Sequence, residues 1–105
     1  MIARIWHGYT EKHNANAYEN LLRTEVFHWI ESKQIKGYRG IQLLRNEQPD
    51  ETAFITIMWF DELQSIIDFA GTDYEKAVVL PEAEALLKRY DERCQHYEVA
   101  IDGYT

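Results

Sequence analysis

The sequence is poor in several features that would point to particular protein classes. Cys94 is the single cysteine, so no disulfide can form within the chain, and a reducing cytoplasm is the expected compartment. With two prolines and five glycines there is no Pro- or Gly-rich linker, and we expect one domain over residues 1–105. No apolar run approaches the ~18 residues of a membrane span, and the first residues lack the apolar core of a signal peptide. We therefore expect a cytoplasmic domain without a membrane partner.

Basic residues are also scarce. Eleven Lys and Arg stand against eighteen Asp and Glu, which gives a formal net charge of −7. Proteins that bind nucleic acid neutralise its phosphates with basic patches, so this balance argues against a nucleic-acid partner. In contrast, 46% of the residues are hydrophobic and 13% are aromatic, enough for one packed core.

Hydrophobic periodicity predicts four strands, with helices between the first and second strands and between the third and fourth. Runs rich in β-branched and aromatic residues cover residues 2–9, 38–44, 52–60 and 95–101. Apolar residues at helical spacing predict a long helix between the first two strands, starting at a capping box of Asn16 and Glu19 and ending near Ser32. Further helices are expected after the third strand, with starts at Asp61, Thr72 and Pro81. The apolar stripe of the last one is formed by Ala83, Leu86, Leu87 and Tyr90. The order β-α-β-β-α-β predicts an α+β, ferredoxin-like fold with an antiparallel sheet.

Phe27 lies opposite the apolar stripe of the first predicted helix. Two explanations are open at this point: the helix is distorted near Phe27 and His28, or Phe27 meets another surface.

The predicted third strand is apolar on both faces. Its two faces carry Phe54, Met58 and Phe60 on one side and Ile55, Ile57 and Trp59 on the other. A sheet with helices on one face usually presents polar residues on its second face. We therefore expect a second copy of the chain to cover the helix-free face as a homodimer, with Phe54, Met58 and Phe60 in the interface.

Chemical motifs are few. The four histidines, His7, His13, His28 and His96, have no metal-ligand spacing, so no metal site is expected. There is no phosphate-binding loop and no GxGxxG motif, so no nucleotide cofactor is indicated. Aromatic residues remain, and a cavity that they line would suit a flat, apolar ligand. The candidates for ligand binding are Trp6, Trp59, Phe69 and His96. The alternative interpretation is that these residues only pack the core and the dimer interface.

Two segments carry a family resemblance. FITIMWFD (residues 54–61), GYRGIQL (residues 37–43) and the order of elements resemble the antibiotic biosynthesis monooxygenase (ABM) family over nearly the whole chain. The resemblance implies a dimeric α+β barrel, in which two ferredoxin-like sheets pack against each other. It also implies diverse activities, which include cofactor-free oxygenation of quinols or polyketides and degradation of haem.

The haem-degrading members provide a specific test of the resemblance. They use an asparagine on the first strand, a tryptophan on the second helix and a histidine about ten residues later. Phe69 and Val79 stand in the last two positions here, and the first strand has no asparagine. Haem binding is therefore the weakest of three hypotheses.

The leading hypothesis from the resemblance is a cofactor-independent monooxygenase that acts on a small aromatic or quinol-like compound. His7 is the candidate base and Tyr74 the candidate hydrogen-bond donor. Strand parity with Ile5 predicts that His7 points toward the helices, where Phe69 and Tyr74 would close over the ligand. The second hypothesis is a dimeric barrel that binds a small ligand without catalysis.

Overall fold

The computed structural model of the chain describes residues 1–103. Within this range, five strands form one antiparallel sheet: β1 (Ile2–Thr10), β2 (Tyr38–Glu47), β3 (Thr52–Phe60), β4 (Arg89–Tyr90) and β5 (Gln95–Glu98). The same described residues include four α-helices: α1 (Ala15–Leu21), α2 (Phe27–Ser32), α3 (Leu63–Ala70) and α4 (Pro81–Glu84). The predicted α+β, ferredoxin-like architecture is confirmed.

The last strand of this architecture is divided into two short pieces. The sheet order is β2-β3-β1-β4, and β5 pairs with the same edge of β1 as β4. β4 pairs with Gly8 and Tyr9, whereas β5 pairs with residues 2–5. The predicted strand over residues 95–101 is therefore shorter than expected, and Tyr90, which the helical pattern assigned to a helix, lies in β4. Residues 91–94 connect the two pieces.

The two faces of β3 have the opposite roles to those predicted. Phe54, Met58 and Phe60 are 1%, 5% and 0% exposed, and they belong to the core clusters beneath the helices. The expectation that they form a dimer interface is wrong. Ile57 and Trp59 lie on the helix-free face and are half-buried in the single chain. The alternation of residues along β3 separates the side chains of one face from those of the other. Because both faces are apolar, the pattern does not indicate which face the helices cover.

The first helix is interrupted by a π-helical segment, Leu22–Val26, between α1 and α2. The Phe27 amide donates its hydrogen bond to the Leu22 carbonyl, five residues back. A π-turn holds one residue more than an α-turn, so the residues that follow are rotated about the axis. Phe27 consequently packs against the core cluster. The first of the two explanations for Phe27, a distorted helix, is correct, and α2 ends at Ser32 as predicted.

Two predicted helix caps are absent. The N-cap of α1 is Asn14, and it makes no side-chain capping bond. Asn16 and Glu19 instead accept hydrogen bonds from Arg45 Nη1 at 2.9 and 3.1 Å. The predicted capping box is therefore wrong, because an arginine on β2 competes for both side chains.

The start of α3 differs from prediction in a similar way. Glu62 is its N-cap, again without a side-chain bond, and the expected cap Asp61 accepts a hydrogen bond from Arg39 Nε at 2.7 Å. This ion pair lowers the pKa of the Asp61 carboxyl. Gly71 ends α3 with a φ of 96°, the positive value expected at a helix C-terminus.

Residues 71–80 cross from α3 to α4 without a helix, so the predicted helix at Thr72–75 is wrong. The segment bonds instead to the connection between β4 and β5. The Ala77 amide donates to the Glu92 carbonyl at 2.9 Å, and the Cys94 amide donates to the Glu75 carbonyl at 2.6 Å. Within residues 1–103, no helix is both long and apolar enough to cross a membrane.

Candidate functional site

A cavity of about 70 Å³ lies between the helices and the sheet, which we call the helix-side cavity. Aromatic rings from four elements form much of its wall: Trp6 on β1, Tyr18 on α1, Phe27 and Trp29 on α2, and Phe69 on α3. Residues 78–80 close another side. Arg4 is the single charged side chain among the lining residues that the structure describes.

Trp6 is held in place by a hydrogen bond to the connection between β4 and β5. Its indole Nε1 donates a hydrogen bond to the Asp91 carbonyl at 2.7 Å, across the edge of the sheet. The ring extends over Gly8, where a Cβ atom would lie 2.6 Å from Trp6 Cη2. Glycine at position 8 is thus the residue that leaves space for this indole.

The π-helical segment supplies another part of the wall. Leu22 and Val26 at its two ends both line the cavity, and Phe27 follows directly. Such segments occur frequently at functional sites, because they change the direction of the side chains without ending the helix.

Arg4 is a buried cation in the middle of β1, with 3% of its surface exposed. Nη1 donates to the Tyr74 carbonyl, and Nη2 donates to the Lys76 carbonyl at 2.9 Å. Nη1 also lies 3.0 Å from His96 Nε2, and the guanidinium carbon lies 5.8 Å from the centre of the Phe69 ring. Arg4 forms no ion pair within residues 1–103. Burial lowers the pKa of Arg4, although a guanidinium stays protonated in proteins.

His96 is a neutral partner of this guanidinium. Burial, and then the positive charge of Arg4, lower the pKa of His96. The contact with Arg4 assigns Nε2 as the acceptor, so Nδ1 carries the proton. That Nδ1 is buried and has no hydrogen-bond partner among residues 1–103. The ring packs edge-on against Tyr74 with 5.4 Å between centroids.

The other ionisable groups of the wall are Cys94 and Tyr18. Cys94 is free and 5% exposed, and burial raises the pKa of its thiol, an effect that Arg4 partly offsets. Burial also raises the pKa of Tyr18, which is 2% exposed. Both groups are therefore protonated near neutral pH, and neither can act as a base there.

Four of the predicted site residues lie at or beside this cavity. Trp6 and Phe69 line it directly. Tyr74 and His96 reach it through Arg4, the first by its backbone carbonyl and the second by its imidazole.

His7 and Trp59 lie on the opposite, helix-free face. The sheet register pairs His7 with Ile55 and Ile5 with Ile57, and both partners belong to the set that points away from the helices. The predicted orientation of His7 toward the helices is therefore wrong. The parity argument assumed that apolar Ile5 faces the core, whereas the alternate positions Arg4 and Trp6 do.

The surroundings of His7 form an open groove of about 320 Å³ on the helix-free face, which His7, Tyr9, Leu44 and Ile55 help to line. His7 Nδ1 is 3.3 Å from an Asp91 carboxylate oxygen, and both side chains are partly exposed. Trp59 donates from its indole nitrogen to the Gln42 side-chain oxygen at 3.0 Å.

The sequence-based search missed Arg4. The signal was available, since Arg4 is the single charged residue within the otherwise apolar run of residues 2–6. Lys, Arg, Asp and Glu are rarely buried unless they are paired, so such a position indicates either an exposed strand face or a functional cation.

The positions that the resemblance aligns with haem-binding residues are also part of the wall. Phe69 and Val79 both line the cavity, and its lining residues within positions 1–103 include no histidine. Positions 1–103 also contain no cluster of three or more His, Cys, Asp or Glu side chains that could hold a metal ion.

Comparison with known proteins places the fold. No protein-family profile matches the chain, and no curated protein matches it. A crystal structure of a "putative antibiotic biosynthesis monooxygenase" from Bacillus cereus superposes with a TM-score of 0.70 at 8% sequence identity. The match covers 100% of this chain and 96% of that one. At this identity the likeness establishes the shared fold, which confirms the ferredoxin-like fold of the single chain. The dimer that the resemblance implies stays a prediction.

Proposed function

We propose that the chain is a cofactor-independent monooxygenase, an oxidoreductase whose substrate is a small aromatic or quinol-like compound. The observation that carries the proposal is the helix-side cavity, with its aromatic walls and a single charged group. The structural neighbour of the same fold, described as a monooxygenase, supports the same reaction class. The cavity of about 70 Å³ is well below the ~300–1,000 Å³ of typical ligand sites and below the ~150 Å³ of a cavity that binds benzene. We therefore expect a substrate no larger than a single ring, and the side chains of the wall must move to admit it.

The reaction requires no electrons from outside the substrate. A quinol reacts with O₂ to give a hydroxyquinone and water: one oxygen atom enters the ring, the other leaves as water, and the quinol loses four electrons. The chain contributes by holding the ring between aromatic side chains such as Trp6 and Phe69 and by keeping water away from it.

Within residues 1–103, the lining of the cavity provides no general base to remove a proton from the substrate. Cys94 and Tyr18 are protonated at neutral pH, and the expected base, His7, lies on the other face of the sheet. We therefore infer that the substrate loses its proton to solvent before it enters the cavity and reacts there as an anion. Turnover should then increase with pH along the ionisation of the substrate. Tyr74, the expected donor, acts in this proposal through its carbonyl bond to Arg4.

The direct test is oxygen consumption with hydroquinone under ¹⁸O₂, without added metal, flavin or nicotinamide. A product with one ¹⁸O atom, formed faster than in heat-denatured controls, supports the proposal. Val79→Phe should fill the cavity and lower turnover by about tenfold or more. Val99→Phe is the matched control at an exposed position and should leave turnover unchanged. His7→Ala should also leave it unchanged, whereas a loss of ~10²-fold, the scale of a missing general base, would move the reaction to the helix-free face.

Non-catalytic ligand binding is the second candidate, and the lack of a base in the cavity favours it. Trp6 and Trp29 line the cavity, so a bound aromatic compound should quench tryptophan fluorescence. Quenching without oxygen consumption would support the binding protein over the enzyme.

We also propose that the chain forms a homodimer through the helix-free face, in the manner of a dimeric α+β barrel. Ile5, Ile57 and Trp59 give this face an apolar centre, and Tyr97 is 55% exposed. A stable interface would bury roughly 800 Å² per chain. The buried, unpaired Cys94 fits a reducing, cytoplasmic location.

A further inference from the structure

We propose that Arg4 is the anion-binding residue of the helix-side cavity and that the ligand is an aromatic ring with an anionic oxygen substituent. This inference rests on the proposed function only for the cavity as the ligand site. It specifies the substrate class: an aromatic carboxylate or an ionised phenol rather than a neutral aromatic.

The first argument is the missing counter-charge. Arg4 is 3% exposed and forms no ion pair within residues 1–103. Burying an ion without an opposite charge is costly, and the two carbonyl oxygens of Tyr74 and Lys76 carry only partial charges. An anionic ligand would supply the absent negative charge at this position.

The second argument is the number of donors. A guanidinium has five N–H groups in a planar fork. The acceptors found for it within the described part of the chain are the Tyr74 carbonyl, the Lys76 carbonyl and His96 Nε2. Two N–H groups are left for a ligand, and a carboxylate can accept from two such groups at once.

The third argument is the position of the guanidinium in the wall. Its carbon lies 5.8 Å from the centre of the Phe69 ring, and Arg4 and Phe69 line the same cavity. A ligand whose ring packs against Phe69 can therefore direct its anionic group at Arg4. The surrounding wall is apolar, and a charge pair is stronger there than in water.

The competing explanation is that Arg4 only ties residues 74–76 to the sheet through its two carbonyl bonds. A tether has no preference for ligand charge. The two explanations therefore differ in ligand selectivity, even though both predict that loss of Arg4 destabilises the fold.

The test compares benzoate with benzamide, which have nearly the same shape and differ in charge. Calorimetric titration of the wild-type chain should show benzoate binding at least about tenfold more tightly, the scale of charge-assisted hydrogen bonds. Arg4→Lys keeps the charge and should retain the preference at lower affinity. Arg4→Met should abolish it, and Arg89→Met, which removes an exposed arginine of the same sheet, should leave it unchanged.

Equal affinity of the wild-type chain for the two compounds, or no binding of either, would overturn the proposal. So would a benzoate preference that persists in a folded Arg4→Met variant. If Arg4→Met does not fold, the wild-type comparison and Arg4→Lys decide the matter. Turnover of hydroquinone without a benzoate preference would reject the anion site and keep the monooxygenase. A benzoate preference without oxygen consumption would support the anion site and reject the monooxygenase.

Discussion

Substitution of two adjacent residues of β3 by aspartate should have opposite consequences, because they lie on opposite faces of the sheet. Met58 is 5% exposed and packs with Ile30, Phe60 and Ile66 under the helices. Ile57 is half-buried on the helix-free face, paired with Ile5. Met58→Asp should unfold the chain, whereas Ile57→Asp should give a folded monomer.

The magnitudes follow from the two environments. Met58→Asp loses about 2–3 kcal/mol of side-chain burial and places a carboxylate in an apolar core at a further cost of several kcal/mol. Together these reach the ~5–15 kcal/mol by which domains are stable. Ile57→Asp leaves its carboxylate in contact with water in the monomer, so it costs only about 1 kcal/mol of strand preference. In a two-fold dimer, however, the same substitution introduces two unpaired carboxylates at one interface.

Circular dichroism and sedimentation equilibrium at micromolar concentration measure the two effects separately. Ile57→Val is the matched control and should remain folded and dimeric. A wild-type chain that sediments as a monomer, or an Ile57→Asp variant that stays dimeric, would refute the proposed interface. A Met58→Asp variant with wild-type stability would refute the assignment of the two faces.

Two further predictions concern the wall of the cavity. Gly8→Ala should lower the free energy of unfolding by about 1–3 kcal/mol, because the added methyl group overpacks against Trp6. The measurement is the urea midpoint, which should fall. An unchanged midpoint would mean that the indole moves aside at no cost. Because the pKa of His96 is lowered in the folded state, the unfolded chain binds more protons as the pH falls through about 6.5. The free energy of unfolding should therefore decrease as the pH is lowered below that value, and His96→Gln should make this decrease smaller. Identical pH dependence of the two proteins between pH 5 and 8 would contradict the buried, neutral state of His96.

The element order was predictable because strong local patterns determine it. β3 over Thr52–Phe60 has the predicted bounds, since seven of its nine residues are β-branched or aromatic and such a run has few alternatives to a strand. Phe27 indicated the helix distortion by breaking the apolar stripe, although its π-helical form could not be read from spacing alone.

Features that depend on distant residues were not predictable in the same way. Residues 75–77 have backbone partners at positions 92–94, and these distant contacts prevailed over the local capping pattern that predicted a helix at Thr72. The orientation of His7 was missed because both faces of β1 carry apolar residues, and only the helix contacts decide between them. Arg4 acquires its significance from carbonyl oxygens about seventy positions away in the sequence, at residues 74 and 76.

The π-helical segment also affects how this chain should be aligned with other sequences. The five residues Leu22–Val26 include one more than a regular α-helix of the same rise would need. A protein of the same fold with an uninterrupted helix would therefore match α1 and α2 only if a one-residue gap were placed in this segment. An ungapped alignment would shift Phe27 and Trp29, both of which line the cavity, by one position. Comparison of cavity residues across this fold should therefore begin from superposed backbones rather than from residue counts.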